Sequence, residues 1–402
     1  MAYRKPSRLH YRIAQVASWF VATFVFKRQI VRNEIKGKKG PFVVIANHEA
    51  MLDFVTLIGM RARPMSFGIS QSFFHAIPLK GFMTKMGVIP KQQFQTMPGD
   101  MKMIKAVIDE GESVVIYPSG LMCEDGLNTP IPAATYKFLK WLGVDVYAAK
   151  VSGTYFAMPK WAKGMRPGKT YIDIYRLFSK EELAEADLEQ VREKANEVLV
   201  FDAYRDQEKL RAKYKNGDNL EGMEHVLYMC PHCGTEFSME VRDGNVIYCT
   251  SCGYAEMSDQ YAFLHKQSEV GEEIRYVSDW SRQTYRTLKD KILSGLETEL
   301  TAETAFHMID EKRNKFTEAG TGTVRLTCDG FAVQGTLHGE PIDITVPITQ
   351  IPTLPFSPGK YFEIQNGKEI YRCVLQDGRL TMKFINMVKI FHELRVAETA
   401  RA

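Results

Sequence analysis

Apolar positions along the chain follow three successive patterns. Between residues 40 and 178, short β-branched runs at 42–46, 65–69, 113–117, 144–151 and 170–177 alternate with stretches of helical apolar spacing at 51–61, 72–86, 100–110 and 133–142. That alternation predicts an α/β domain with a largely parallel sheet. Residues 181–200 and 202–215 are charged and helical, with Leu188, Val191, Ala195, Val198 and Leu199 on one apolar stripe, and read as a solvated helical bridge. After a helical stretch at 280–293 the pattern turns to short strands, at 323–328, 331–337, 342–347, 361–365 and 369–375. Turn residues such as Asp329-Gly330, His338-Gly339 and Asn366-Gly367 divide them. A last run, 381–397, carries Met382, Ile385, Val388, Phe391 and Leu394 along one helical face.

The N-terminus differs from all of these. Residues 13–26 contain no charge and are flanked by Arg4, Lys5, Arg8 and Arg12 before and by Lys27, Arg28 and Arg32 after. As a helix this run would cover roughly 21 Å, short of the ~30 Å hydrocarbon core of a bilayer. A signal peptide would end in small residues, whereas Lys27-Arg28 follows here. Trp19 and Phe20 beside basic ends suit a helix lying in a membrane interface; the alternative is a helix packed on the domain it precedes. Charge sharpens the choice. The chain carries +4 in total, yet residues 1–40 hold ten Lys or Arg against Glu34 alone, which is +9 and leaves −5 for the remainder. Basic charge around an apolar run points to anionic lipid rather than nucleic acid.

Length and composition set the remaining frame. At 402 residues, with 45% hydrophobic and 25% charged residues, the chain is globular and divides into two or three domains. Among its seven cysteines, Cys230-Pro231-His232-Cys233 and Cys249-Thr250-Ser251-Cys252 stand fifteen residues apart. Two Cys-x2-Cys knuckles at this separation fit four thiolates around tetrahedral zinc, with a hairpin around Asp243-Gly244-Asn245 between them. Two disulfides are the alternative, and they require an oxidising compartment. Four thiolates close the coordination shell, so the expected Zn2+ is structural and takes no part in chemistry. Arg242 is the only Lys or Arg from Met229 to Gly253, which argues against a nucleic-acid-binding ribbon.

The chemistry is concentrated in Asn47-His48-Glu49-Ala50-Met51-Leu52-Asp53, directly after the apolar run 42–46. This places His48 at the C-terminal end of a buried strand and Asp53 in the first turn of the next helix, where α/β sheets carry reactive groups. A carboxylate there can fix one imidazole nitrogen and leave the other to take a proton. The His-x4-Asp spacing resembles the glycerol-phospholipid acyltransferases of the lysophosphatidate acyltransferase-like family, and three further blocks extend the resemblance in order. Gly87-Val88-Ile89-Pro90-Lys91 is similar to a second block that binds the acceptor's phosphate, with Lys91 in place of the more usual Arg. Tyr117-Pro118-Ser119-Gly120 stands where the family has Phe-Pro-Glu-Gly; Ser119 replaces a glutamate that helps arrange the acceptor site, and Glu124 and Asp125 lie nearby in sequence. Val151-Ser152-Gly153-Thr154 resembles the fourth block, a strand end lining the acyl-donor site.

The resemblance implies an O-acyltransferase that moves a fatty acyl group from acyl-CoA or acyl-carrier protein to a lysophosphatidate-like acceptor. His48 would be the general base and Asp53 its orienting partner. Asn47, Gly87, Lys91, Tyr117, Pro118, Ser119, Gly120 and Gly153 would form the substrate site, and Cys230, Cys233, Cys249 and Cys252 the zinc site. The expected divisions are a membrane-associating segment 1–39, an α/β acyltransferase domain 40–216, a zinc ribbon 217–262, and a mainly-β domain 263–402. The last suggests a pleckstrin-homology-like barrel, serving either as a docking module for lipid or protein or as a platform for the ribbon. The expected location is the cytoplasmic face of the cell membrane, held by anionic lipid through residues 1–40. The loss of the glutamate at Ser119 supports a second reading, a non-catalytic lipid-binding or scaffold protein. A third, a hydrolase with Ser119 as nucleophile, lacks the Gly-x-Ser-x-Gly elbow.

Overall fold

The computed structural model describes residues 5–51, 53–60, 62–77, 79–93, 98–214, 219–310, 312–367 and 369–401. Arg4, Leu52, Arg61 and Lys215, all part of sequence-based expectations, lie outside the described residues. Two compact units are present. The first comprises residues 1–160, 164–216 and 260–262, and the second residues 161–163, 217–259 and 263–402.

The first unit opens with helix α1 (Arg8–Phe20) and a wider π-type turn over Val21–Val25. Then come β1 (Gln29–Asn33), β2 (Phe42–Ala46), α2 (Asp53–Ile58), β3 (Met65–Ser70), α3 (Gln71–Ala76), α4 (Lys80–Lys85) and β4 (Ile89–Lys91). After these follow α5 (Pro98–Asp109), β5 (Ser113–Ile116), α6 (Ala134–Leu142), β6 (Asp145–Ser152), α7 (Thr154–Ala157) and β7 (Tyr171–Phe178). Helices α8 (Lys180–Glu185), α9 (Leu188–Leu199) and α10 (Ala203–Leu210) complete it. The seven strands lie in the order β1-β7-β6-β2-β5-β3-β4. All neighbours are parallel except β6 and β7. The expected α/β domain is therefore present.

β2 shows why the run at 42–46 is apolar throughout. Val43 and Ile45 point to one face, packed with Val107 and Ile108 of α5, Leu139 of α6 and Val191 of α9. Phe42, Val44 and Ala46 point to the other, packed with Leu57 of α2 and Tyr11 of α1. A strand covered on both faces needs apolar residues at every position rather than at alternate ones. Two short strands, β1 and β4, escaped the sequence reading. The single helix expected over 181–200 is two, each started by its own capping box at Ser179 and Asp187. Leu188, assigned above to the buried stripe, is 42% exposed in the first turn of α9.

α1 packs in an unusual sense. Its inward side carries Tyr11, Gln15 and Ser18, and Gln15 Nε2 donates to the Ala62 carbonyl at 3.0 Å. Just beyond the helix, Arg28 donates to the carbonyls of Thr56 at 2.8 Å and Gly59 at 3.3 Å. Its apolar residues face outward: Leu9, Ile13, Val16 and Phe20, with Phe24 beyond, are each more than half exposed. No described helix is long and apolar enough to cross a membrane.

The second unit contains two sheets. Strands β8 (Met239–Arg242), β9 (Val246–Cys249), β10 (Ala255–Ser258) and β11 (Leu264–Lys266) form an antiparallel sheet in the order β11-β10-β9-β8. The turn joining β8 to β9 is at Asp243-Gly244-Asn245, with positive φ at Asp243 and Gly244, as the sequence predicts. α11 (Val277–Leu293) follows, then β12 (Glu299–Asp310), β13 (Lys315–Thr327), β14 (Gly330–Leu337), β15 (Glu340–Pro347), β16 (Phe356–Ser357), β17 (Tyr361–Asn366), β18 (Glu369–Leu375) and α12 (Leu380–Arg401). These seven strands pair antiparallel in the order β15-β14-β13-β12-β18-β17-β16. Among the described residues no pairing joins the two edge strands β15 and β16, so the sheet is open and the expected closed barrel is not formed.

α12 corrects a second expectation. Phe384, Met387 and Ile390 are as buried as Met382, Ile385, Val388 and Phe391, so its first half is enclosed on all sides rather than along one face. The cysteine-bearing sheet is tied to both long helices. Trp280 Nε1 of α11 donates to the Met229 carbonyl at 2.9 Å, and Lys383 of α12 donates to Glu236 at 2.7 Å and Glu297 at 2.9 Å.

Candidate active site and cysteine centre

Because β2, β5 and β6 are parallel, their C-terminal ends share one edge of the sheet. Three segments therefore converge there: Asn47 to Asp53 after β2, Tyr117 to Gly120 after β5, and Gly153-Thr154 after β6. Asn47 locks two of them together. Its Nδ2 donates to the Val151 carbonyl and its Oδ1 accepts the Val151 N–H, both at 2.7 Å. One amide side chain thus reproduces a backbone ladder pair where the strand has ended.

His48 Nδ1 lies 2.8 Å from Asp53 Oδ2, with the imidazole 19% exposed and the carboxylate fully buried. The same Oδ2 accepts the backbone N–H groups of Glu49 at 2.7 Å and Ala50 at 3.0 Å, and Oδ1 accepts the Thr154 hydroxyl at 2.6 Å. An acceptor-only carboxylate at that position requires His48 Nδ1 to be the donor, which leaves Nε2 with its lone pair. The Tyr117 ring lies against the imidazole, centroids 4.4 Å apart. Its buried hydroxyl has no hydrogen-bond partner among the described residues, and burial, followed by the Asp53 charge, raises its pKa well above the usual phenol range.

The other expected substrate-site residues are distributed as follows. Ser119 is buried and its hydroxyl donates to the Leu121 carbonyl at 3.1 Å, inside its own loop. Pro118 is buried beside it, and the Gly120 N–H closes the turn on the Tyr117 carbonyl at 3.0 Å. Gly153 has φ +88°, and a Cβ there would meet the Tyr214 hydroxyl at 2.5 Å, so only glycine fits. Gly87 also has positive φ and packs against the Pro6 ring. Lys91 ends β4, at the same sheet edge but three strands from β2, roughly 14 Å across the sheet. Desolvation holds the Lys91 ammonium below its ordinary pKa, while Asp100 pulls the other way.

Glu49 is a site residue that sequence reasoning passed over. It is fully buried; its Oε2 accepts the Tyr155 N–H at 3.0 Å and lies 3.2 Å from the Thr154 hydroxyl, while Oε1 has no partner among the described residues. Burial first, and the neighbouring Asp53 charge second, push its pKa up to about 8. Its position beside His48 was visible in the sequence, but partners more than a hundred residues away were not.

In the second unit the four cysteines form a compact cluster, with all Sγ atoms within 4.8 Å of one another. Cys230 and Cys252 are 3.7 Å apart and Cys233 and Cys249 are 3.8 Å apart. A tetrahedron with bonds of ~2.3 Å has edges of about 3.8 Å, so these separations fit four ligands of one metal ion and are far too long for disulfides. The cluster could hold a metal ion.

Comparison with known proteins bears on the first unit. Residues 27–148 match the acyltransferase family, a span running from the end of the N-terminal apolar run into β6. No curated protein matches the sequence. Among solved structures, the chain is similar to the 1-acyl-sn-glycerophosphate (LPA) acyltransferase PlsC from Thermotoga maritima, at 19% identity and a TM-score of 0.41, over 51% of this chain and 81% of that one. The matched residues 27–148 contain the His48–Asp53 pair, so this part of the chain carries an acyltransferase-family domain.

Proposed function

We propose that this protein transfers a fatty acyl group from an acyl thioester, carried by CoA or acyl-carrier protein, to the free hydroxyl of a lysophosphatidate-like acceptor. The observation that supports it best is the His48–Asp53 pair, with Nδ1 committed to the carboxylate and Nε2 at the partly open surface of the strand-end site. Nε2 takes the acceptor's hydroxyl proton as its oxygen attacks the thioester carbonyl. The tetrahedral intermediate collapses with breakage of the C–S bond, and the proton passes from His48 to the departing thiolate. Lys91, at the same sheet edge, receives the acceptor's phosphate as a point charge. Asn47, Gly87, Tyr117, Pro118, Ser119, Gly120 and Gly153 shape the site between them. Ser119, with its hydroxyl turned into its own loop, gives no support to a serine hydrolase.

The four cysteines bind structural Zn2+ and close the fold around it, taking no part in acyl transfer. α1 and the basic segment 1–40 hold the enzyme as a peripheral protein on an anionic membrane surface at the cytoplasmic face, with the outward stripe Leu9, Ile13, Val16, Phe20 and Phe24 entering the interface. The modules proposed are 1–39, 40–216, 217–262 and 263–402, the last able to dock a lipid or protein partner.

Thiol release from acyl-CoA, measured with and without lysophosphatidate for wild type and His48→Ala, tests the central reading. Acceptor-dependent release that disappears in the variant supports transfer. Acceptor-independent release points to hydrolysis, and no release with any acyl donor or acceptor points to a non-catalytic lipid-binding protein.

A further inference from the structure

We propose that Glu49 and Thr154 are positioning residues for the His48–Asp53 pair: the Glu49 carboxyl holds the backbone where β6 runs into α7, and that hold aims the Thr154 hydroxyl at Asp53. The inference rests on the reading of His48 as the base.

Three segments meet in this cluster. Glu49 belongs to the loop after β2, Asp53 to the first turn of α2, and Thr154-Tyr155 to the turn that Gly153 starts after β6. The Thr154 hydroxyl lies 2.6 Å from Asp53 Oδ1 and 3.2 Å from Glu49 Oε2, while Glu49 Oε2 accepts the Tyr155 N–H at 3.0 Å. A threonine hydroxyl has one hydrogen. Given to Asp53 over the shorter distance, it cannot also be given to Glu49, so the second contact is a hydrogen bond only when Glu49 carries a proton of its own. The order is then fixed: Glu49 donates to Thr154, and Thr154 donates to Asp53.

The surroundings favour that protonated form. Asp53 on α2, Cys123 in the loop after β5, Asp206 on α10 and Tyr214 all face the carboxyl electrostatically. Each is acidic. Lys150, the nearby cation, is paired with Asp206 at 2.9 Å. Cys123 also caps the backbone here, donating from Sγ to the Glu49 carbonyl at 3.3 Å. A charge on Glu49 would be buried beside Asp53 with Oε1 unpartnered, the costly arrangement for two carboxylates. At neutral pH Glu49 is accordingly uncharged. As pH rises through about 8 its ionisation removes the donor to Thr154 and sets a like charge against Asp53.

The test is kcat and KM from pH 6 to pH 9.5 for full-length wild type, Glu49→Gln, Thr154→Val and Thr154→Ser, with His48→Ala as reference and a melting curve for each. Losing a hydrogen bond to a charged group corresponds to about tenfold or more in rate, so Thr154→Val should lower kcat by that factor with KM little changed. Thr154→Ser, which keeps the hydroxyl, should return kcat to within about twofold. Glu49→Gln still accepts the Tyr155 N–H but cannot ionise, and should lose the fall in kcat above pH ~8. Equal kcat for the valine and serine variants, or an unchanged alkaline fall in Glu49→Gln, overturns the proposal; if Glu49→Gln does not fold, the Thr154 pair decides. Retained turnover in His48→Ala would instead overturn the base reading, and this inference with it.

Discussion

The two polar centres of this protein are built in opposite ways. At the strand-end site, groups are buried without partners: Glu49 Oε1 and the Tyr117 hydroxyl have none, and one imidazole nitrogen faces a partly open surface. At the cysteine centre, four sulfurs converge to tetrahedral separations and the surrounding sheet is anchored by Trp280 and Lys383. The first arrangement leaves buried acceptors unpaired beside a carboxylate-held imidazole, at a cost in stability, and the second gathers four sulfurs on a sheet anchored to two long helices. What separates the two is the chemistry gathered at each: an imidazole held by a buried carboxylate in one, and four sulfurs at metal-ligand separations in the other.

Disturbing the cysteine centre should give the largest effect. On the proposed zinc reading, Cys249→Ser is expected to abolish stoichiometric zinc in elemental analysis and to melt the second unit early, because structural zinc contributes on the order of 10 kcal/mol or more to such folds. His48→Ala should do the reverse, lowering kcat about 10²- to 10⁴-fold while the melting temperature stays within a few degrees. A comparable melting loss from both variants would erase the distinction.

A subtler contrast uses pH. Glu49 is raised from an ordinary 4.5 to about 8 in the folded protein. The folded state then keeps a proton that the unfolded chain has lost, so stability falls as pH climbs from about 4.5 to about 8, by ~1.4 kcal/mol per pH unit. Glu49→Gln has no such slope. Its melting temperature relative to wild type should rise steadily across that window in differential scanning calorimetry, and a constant difference would show that Glu49 is charged. The smallest effect on folding belongs to α1. Phe20→Ser with Phe24→Ser should change stability by under ~0.5 kcal/mol yet weaken binding to anionic vesicles about tenfold or more, read by co-sedimentation.

What the sequence revealed depended on how locally each feature is specified. His48 and Asp53 are five positions apart, and the strand before them is apolar at every position, so their place at the strand end could be read. The cysteine pairs and the Asp243-Gly244 turn are equally local. Glu49 was out of reach because Thr154 and Tyr155 arrive through the parallel pairing of β2 with β6, where Ala46 stands beside Ala149. Apolar spacing also failed to say which way a helix faces. The pattern in α1 is as clear as that in α12, yet α1 turns those residues outward because Gln15 and Arg28 hold its other side, whereas α12 is enclosed. β12 was missed for a related reason: Ala302, Thr304 and Phe306 are its buried alternation, and only one of them is strongly apolar.

The shared edge of β2, β5 and β6 also bears on how such an enzyme can diverge. His48 and Asp53 belong to one short segment pinned by Asn47 to β6. The residues between β5 and α6 reach that corner through Cys123, whose Sγ donates to the Glu49 carbonyl, and then run through Thr129-Pro130-Ile131-Pro132 without regular structure. If His48 and Asp53 transfer the proton as proposed, substitutions past Cys123 in this irregular connection can vary while the strand-end corner is kept. Selection would then act on the two at different rates, with the slower rate at the residues that bond the corner, Cys123 among them.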